Sequence, residues 1–201
     1  PSLTRRCAAW GAARRKYMLK DKNALRRKMR ALRDSAPDRA ERDKQIFEKF
    51  FSLPQVKDAK VFFVYHSFGS EADTHAILAR LLAEGKTVCL PRVKGGEMSF
   101  VSYEGQALER GKFGIAEPQG ERTSLRPDVV VLPMLAWNGR FRLGYGGGYY
   151  DRFLAGCGAL KIGIAYAFQR TEEPFMEEFD VPADILVTDA EIYDFGNREE
   201  K

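Results

Sequence analysis

The sequence predicts an α/β protein, a largely parallel β-sheet layered by helices. Three observations carry that expectation. Short β-rich runs alternate with stretches of helix-forming composition along most of the chain. Several of those runs are continuously apolar, as strands buried on both faces are. Between the first two lies a segment whose apolar residues recur at helical spacing, which makes one βαβ unit.

The elements follow in order. Residues 21–34 and 37–51 are rich in Lys, Arg, Glu and Ala, with Leu25, Met29 and Leu32 on one face of the first and Ile46, Phe47 and Phe50 on one face of the second. Both are predicted helices. Strands are predicted at 60–66 (KVFFVYH), 86–90 (KTVCL), 98–103, 128–134 (DVVVLPM), 161–166 (KIGIAY) and 184–188 (DILVT). The segment 73–85 places Ile77, Leu78, Leu81 and Leu82 on one helical face, opens with Asp73 or Thr74 as a cap and stops at Gly85. Ligands of such a sheet are expected at the carboxyl ends of its strands. No internal repeat, low-complexity tract or linker interrupts the pattern.

With 201 residues and 44% hydrophobic content, the chain can bury a core of its own. It reads as one α/β domain over 21–201, preceded by a basic extension over 1–20 that is expected to be poorly ordered. Cys7, Cys89 and Cys157 lie far apart without a CxxC, and the chain has two histidines, so neither a zinc site nor a disulfide framework is indicated. A reducing, cytoplasmic location and a monomer are expected. No apolar run approaches the roughly 20 residues of a membrane-spanning helix, so no membrane partner is expected. The net charge is +5, and the six cations Arg5, Arg6, Arg14, Arg15, Lys16 and Lys20 precede the first acid, Asp21. Three readings of that arm stay open: sequence ahead of a start at Met18, an organelle-targeting peptide, or a nucleic-acid-binding arm. The rest of the chain is close to charge balance, so the overall basicity is weak evidence for a polyanion partner.

One stretch carries chemistry. Arg142-Leu-Gly-Tyr-Gly-Gly-Gly-Tyr-Tyr-Asp151 follows the strand 128–134 and runs into a predicted helix over 149–157, with Tyr149, Phe153 and Cys157 on one face. Glycines there allow positive φ and bring backbone N–H groups close to a ligand, and a helix N-terminus favours an anion. Phosphate is the natural guest, although a merely tight turn explains the spacing nearly as well. Asp151 falls in the first helical turn, where a carboxylate holds Mg²⁺ or caps the helix. Arg142 adds a charged fork at the loop entrance. The run lacks the Gly-Lys-Ser/Thr ending of a P-loop.

That run, read with Lys22-Asn-Ala-Leu-Arg26, Glu71-Ala-Asp-Thr74 and Gly111-Lys-Phe-Gly-Ile-Ala-Glu-Pro118, resembles the 5-formyltetrahydrofolate cyclo-ligase family, also called 5,10-methenyltetrahydrofolate synthetases. The four segments stand in the family's order and span nearly the whole chain. One departure is visible: Trp137-Asn-Gly-Arg-Phe141 stands where the family usually has Phe-Asp and a slightly longer turn. The resemblance implies a three-layer, Rossmann-like sheet similar to the NagB/RpiA/CoA-transferase-like fold. It also implies ring closure of 5-formyltetrahydrofolate to 5,10-methenyltetrahydrofolate, with ATP and Mg²⁺ as cofactors and ADP and phosphate released. ATP and the folate are then the partners, with no nucleic acid.

Carried over by position, Lys22 and Arg26 match the family's N-terminal nucleotide contacts. Arg142, Leu143, Gly144, Tyr145, Gly146, Gly147, Gly148, Tyr149 and Tyr150 match its phosphate loop. Glu71 matches the substrate acid, joined by Tyr145, Gly146, Gly147, Gly148 and Tyr149. Asp151 and Asp180 match its metal positions, and Arg142, Tyr149 and Asp151 are the catalytic candidates. Each has a plainer alternative: a solvated helix face for Lys22, a loop acid for Glu71, a turn residue for Asp180, core packing for Tyr145 and Tyr149. His66 ends a strand and His75 starts a helix with no paired acid at diagnostic spacing, so neither is read as catalytic. Two rivals remain: a nucleotide enzyme of kinase type with another acceptor, and a basic nucleic-acid-binding module.

Overall fold

The computed structural model describes residues 22–111 and 114–196. The predicted extension at 1–20, with Cys7 and Trp10, lies outside the described residues, as do Asp21 and, within the 111–118 segment, Lys112 and Phe113. The chain opens with helices α1 (22–34), α2 (Arg39–Ser52) and α3 (Pro54–Asp58). Leu53, extended at φ −64 and ψ 125, separates the last two because a residue before proline is pushed out of the helical region. Then come β1 (Val61–Phe63), α4 (His75–Ala83), β2 (Thr87–Lys94), β3 (Glu97–Tyr103), β4 (Glu109–Arg110), β5 (Ala116–Glu117) and β6 (Val129–Leu132). After β6 follow β7 (Ala136–Asn138), β8 (Phe141–Leu143), α5 (Tyr149–Leu154), β9 (Leu160–Ala165), a 3₁₀ turn (Ala167–Gln169), β10 (Ile185–Thr188) and β11 (Ile192–Asp194).

Seven strands form the main sheet in the order β11-β10-β9-β6-β1-β2-β3. The five from β10 to β2 run parallel, and β3 and β11 add antiparallel edges. Alternate residues of the apolar runs serve the two faces. Phe62, Val129, Val131, Ile162 and Ile164 pack with Ile46 and Phe50 of α2 and with Ile77 and Leu81 of α4. Phe63, Val130 and Leu132 pack on the other face with Phe100 of β3 and Leu154 of α5. Burial on both faces explains why these strands show no polar alternation, and the result is the predicted three-layer α/β fold.

Several boundaries differ from the sequence expectation, each for a local reason. The strand predicted to reach His66 ends at Phe63, because the Thr74 hydroxyl takes over the backbone beyond it. That hydroxyl donates to Tyr65 O at 2.7 Å and accepts from Ser67 N at 2.9 Å. The strand over 128–134 ends at Leu132, ahead of Pro133, which has no N–H for the ladder. The hairpin β7–β8 lies outside the sequence expectation; Trp137-Asn-Gly-Arg-Phe141, the departure from the family pattern, is its turn, with Gly139 at φ 54. The glycine loop therefore leaves β8 rather than β6. Helix α5 ends at Leu154, with Gly156 at φ 81, so Cys157 packs from beyond the helix rather than on its face. On α1, Leu25 and Met29 are buried as expected, but Leu32 is 43% exposed and the neighbouring Arg33 is buried instead.

Candidate active site

The glycine loop is shaped by its neighbours as much as by its turn. Gly146 (φ 101) and Gly148 (φ 63) hold backbone conformations that side chains disfavour. A Cβ on Gly146 would lie 3.3 Å from Arg26 Cζ, one on Gly147 2.6 Å from the Tyr149 ring, and one on Gly148 2.9 Å from Arg152 Nη1. Bare glycine is what lets these groups close on the loop. Arg26 Nε donates to Gly144 O at 2.9 Å and Arg152 Nη1 to Gly147 O at 2.9 Å. Helix α5, at six residues, is too short to add much of a dipole, so an anion here would be held by loop amides and cations.

Behind the loop sits a charged group. Arg142 is 7% exposed, and its Nη2 donates to Asp151 Oδ1 at 2.8 Å. Asp151 also accepts from Val181 N at 3.3 Å, which brings Asp180 alongside. Burial pushes the Asp180 carboxyl up, Lys22 opposes that shift and Asp151 adds to it. Lys22 is only 6% exposed and reaches Glu177 Oε2 at 3.0 Å and Asp180 Oδ2 at 3.9 Å, so it does not lie on a solvated helix face.

On the other side, Glu71 follows β1. Its carboxylate accepts from Phe68 N at 2.9 Å and from the Tyr145 hydroxyl. Burial, with Glu71 beside it, pushes that hydroxyl up and keeps it protonated. Tyr145 thus ties the glycine loop to Glu71 and is not core: the residue is 41% exposed. Arg33 Nη1 donates to Tyr145 Oη at 2.9 Å and to Met134 O at 3.3 Å, while its Nε donates to Ser70 Oγ at 3.1 Å. Loops leaving the adjacent strands β1 and β6 meet here, where the chain order of the sheet reverses and ligands of such sheets bind.

Sequence reasoning misses Arg33 because α1 is dense in cations. A signal exists: Lys22, Arg26 and Arg33 recur at four and seven residues, one helical face. Also unforeseen is a cavity of about 340 Å³ beside Glu71, lined by Asp43, Asp73, His75 and Tyr166 among others. Tyr166 Oη donates to Asp43 Oδ1 at 2.7 Å, and burial pushes Asp43 up. His75 does have a paired acid, contrary to expectation: its Nδ1 meets Asp73, only two residues away. Burial works against it, but the hydrogen bonds with His75 hold Asp73 below its ordinary value. The His66 ring stands edge-on to His75 at 4.5 Å, and burial pushes His66 down.

The residues present suit a magnesium–nucleotide. Among the described residues no cluster of three or more His, Cys, Asp or Glu could hold a metal ion by itself. Mg²⁺ does not require one, since it is commonly held by one or two carboxylates together with phosphates and waters. Asp151 and Asp180 could supply such carboxylates, and the buried Arg142 Nε has no partner among the described residues.

The sheet is that of a mostly parallel α/β fold, with a charged glycine loop beside its switch point. The sequence model of the 5-formyltetrahydrofolate cyclo-ligase family matches residues 18–189. The 5-formyltetrahydrofolate cyclo-ligase of Escherichia coli K12 is 30% identical over 184 residues, covering 85% of this chain and 100% of that protein. The solution structure of Aquifex aeolicus 5,10-methenyltetrahydrofolate synthetase matches with a TM-score of 0.78 at 32% identity, over 90% of this chain and 95% of that one. The Mycoplasma pneumoniae synthetase, at 24% identity, shares the fold with a TM-score of 0.68 over 84% of this chain and 99% of that one. This chain belongs to the 5-formyltetrahydrofolate cyclo-ligase family, whose enzymes convert 5-formyltetrahydrofolate to 5,10-methenyltetrahydrofolate.

Proposed function

We propose that the chain performs this ring closure with ATP and Mg²⁺, releasing ADP and phosphate, with residues 142–151, Lys22, Arg26, Glu71 and Asp180 forming its site. One observation carries the proposal. Tyr145 joins the Glu71 carboxylate to a loop whose glycines are closed over by Arg26 and whose end bears the Arg142–Asp151 pair. An acid suited to a heterocycle and a cradle suited to phosphate are thereby linked through one side chain.

A formamide oxygen is a poor leaving group; ATP with Mg²⁺ supplies the phosphoryl group that turns it into phosphate, after which N10 of the folate closes on the formyl carbon. The protein's part is positioning and charge stabilisation. Glu71 offers two carboxylate oxygens to adjacent N–H donors of the pterin. Amides of residues 144–148, with Lys22, Arg26 and Arg142, would hold the phosphates, and Asp151 and Asp180 would hold the metal. Tyr145, held protonated, keeps Glu71 aimed, and Tyr149 lends a flat face for stacking.

The enzyme is taken to work as a cytoplasmic monomer; no described helix is long and apolar enough to cross a membrane. The test is direct. Protein mixed with ATP, Mg²⁺ and 5-formyltetrahydrofolate is expected to generate the absorbance of the methenyl product, and omission of either ATP or Mg²⁺ to abolish it. A folded protein that hydrolyses ATP with another acceptor and yields no methenyl product would overturn the proposal.

A further inference from the structure

Arg33 of α1 is a buried cation without a directly paired acid. It is 4% exposed, and among the described residues it forms no ion pair. A buried charge is costly unless hydrogen bonds and an opposite charge offset it. The bonds of Arg33 run to neutral oxygens: Nε donates to Ser70 Oγ at 3.1 Å, and Nη1 to Met134 O at 3.3 Å and to the Tyr145 hydroxyl at 2.9 Å. Two of these acceptors have other partners in the fold. Met134 O also accepts from Gln169 Nε2 at 2.9 Å, and Ser70 Oγ donates to Asp34 Oδ1. The third bond leads to the site.

A guanidinium donates and cannot accept, so the phenol oxygen accepts from Arg33 and keeps its single proton for another partner. That partner is Glu71 Oε1, to which Tyr145 Oη donates. The second carboxylate oxygen, Oε2, accepts from Phe68 N at 2.9 Å. One bond on each oxygen fixes the plane of the carboxylate and leaves each oxygen a further lone pair for a ligand. Glu71 thus stands as an opposite charge to Arg33, one hydroxyl away. The ring is held as well, with Arg33 Cζ 5.8 Å from the Tyr145 centroid. Arg26, seven residues earlier on the same face of α1, donates to the backbone of Gly144, so two arginines of one helix fix the entry to the glycine loop.

We propose that Arg33 is a positioning residue for the folate: by donating to the Tyr145 hydroxyl it turns that hydroxyl's proton onto Glu71 Oε1, and so sets the carboxylate plane that meets the paired N–H donors of the pterin. The proposal rests on the cyclo-ligase reading and deepens it. Arg33 touches neither the folate nor the nucleotide; it acts through Tyr145 and Glu71. No covalent bond changes in this relay and no proton leaves its atom. Its effect therefore falls on recognition of the folate and not on phosphoryl transfer.

The experiment compares the full-length wild type with Tyr145→Phe, Arg33→Met and Glu71→Gln, and with each of the first two placed in the Glu71→Gln background. It measures kcat, both KM values, a thermal melt, and calorimetric affinities for 5-formyltetrahydrofolate and for the β,γ-methylene analogue of ATP with Mg²⁺. Tyr145→Phe keeps the ring and removes only the hydroxyl. Its affinity for the folate is expected to fall roughly tenfold, the effect of losing one hydrogen bond to a charged group. The folate KM should rise with it, while kcat and nucleotide affinity change by less than about threefold, the pattern of lost ground-state binding. Arg33→Met should show the same split, because it removes the donor that orients the hydroxyl. In Glu71→Gln the relay has already lost its carboxylate, so neither further substitution should change folate affinity by more than about twofold.

Unchanged folate affinity in Tyr145→Phe overturns the proposal even where Arg33→Met fails to fold. Tighter folate binding in that variant would make the hydroxyl a competitor for Glu71. Equal losses of folate and nucleotide affinity would make the relay a brace for the whole site, and a full further loss in the Glu71→Gln background would show it acting by another route. Each of these overturns the proposal. A wild type that forms no methenyl product fails the cyclo-ligase reading itself, whereas an active wild type with any of these outcomes overturns the role of Arg33 alone.

Discussion

Asp180 and Asp184 stand four residues apart in Asp-Val-Pro-Ala-Asp, yet they live in opposite kinds of surroundings. Asp184 sits at the start of β10, where its Oδ2 accepts from Lys161 N at 2.9 Å and pairs with Lys161 Nζ at 2.8 Å. Asp128 does the same at the start of β6, accepting from Lys60 N at 2.8 Å and Val61 N at 2.9 Å, and those two amides hold its carboxyl below the ordinary range. These carboxylates stitch neighbouring strands together. Asp180 accepts from Glu177 N at 2.9 Å within its own loop and lies beside Asp151, Glu177 and Lys22, and burial makes its charge harder to hold. Each carboxylate accepts from a backbone amide, but the amide and the cation at Asp184 both belong to the neighbouring strand and serve the fold, whereas Asp180 is gathered with other carboxylates around the buried Lys22.

The largest expected effect tests the loop side of this contrast. Asp151→Asn should lower turnover by roughly 10²–10⁴-fold, since it weakens the charge balance of the phosphoryl transition state. The retained amide oxygen can still accept from Arg142, so melting should shift little. Wild-type turnover in this variant would remove Asp151 from the site.

Next comes a pair of glycines. Gly146→Val should reduce affinity for an ATP analogue at least about tenfold, by strain at φ 101 and by displacing Arg26. Gly96, at φ 88 in the β2–β3 turn, has open space within 4 Å of where a Cβ would stand. Gly96→Val should therefore cost only stability, about 1–3 kcal/mol of backbone strain, and leave nucleotide binding alone. Equal nucleotide affinity in the two variants would reduce the loop to a turn.

Asp180→Asn and Asp184→Asn sharpen the comparison directly. The folded-state pKa of Asp180 is raised, so the folded protein binds that proton more tightly than the unfolded chain. The group's contribution to stability accordingly declines as pH rises from the unfolded value, about 3.9, through the folded one. Asp180→Asn should thus melt no lower than wild type at pH 7, while its turnover falls about tenfold or more and its Mg²⁺ requirement rises. Asp184→Asn should keep turnover within about threefold and lose about 1–2 kcal/mol of stability with its charge-assisted hydrogen bonds. Titrating Mg²⁺ in activity assays beside denaturant melts separates the two, and the reverse pattern would break the contrast.

A smaller effect is expected of Asp128→Ala. The Asp128 carboxyl is depressed in the fold, so what it contributes is present above the unfolded pKa and lost as pH falls through the lower folded value. The drop in melting temperature between pH 7 and pH 3 should be shallower in the variant, with activity at neutral pH intact. The smallest effect belongs to removal of residues 1–17, which precede the family match at 18–189. Ring closure should be nearly unchanged, and a large rise in the KM for ATP would place that arm in the site.

Local pattern alone settled much of this protein. Continuous apolar runs at 128–134 and 161–166 announced strands buried on both faces, and Ile77, Leu78 and Leu81 announced the crossover helix α4. The glycine run and the family motifs around it pointed to the loop that Arg26 and Asp151 flank. These features were legible because strand and helix periodicities, and the backbone freedom of glycine, are properties of neighbouring residues. What the tertiary structure decided was every relation across long separations. Arg33 looked like one more cation of α1 until it met Ser70 and Tyr145, and Lys22 gained meaning from Glu177 and Asp180. His75 found Asp73, and the hairpin β7–β8 arose from pairing Trp137 with Arg142 across a turn. Burial, pairing and the shift of a carboxyl depend on which distant groups fold against it, and that is why Asp180 and Asp184 are alike in sequence and unlike in the folded chain.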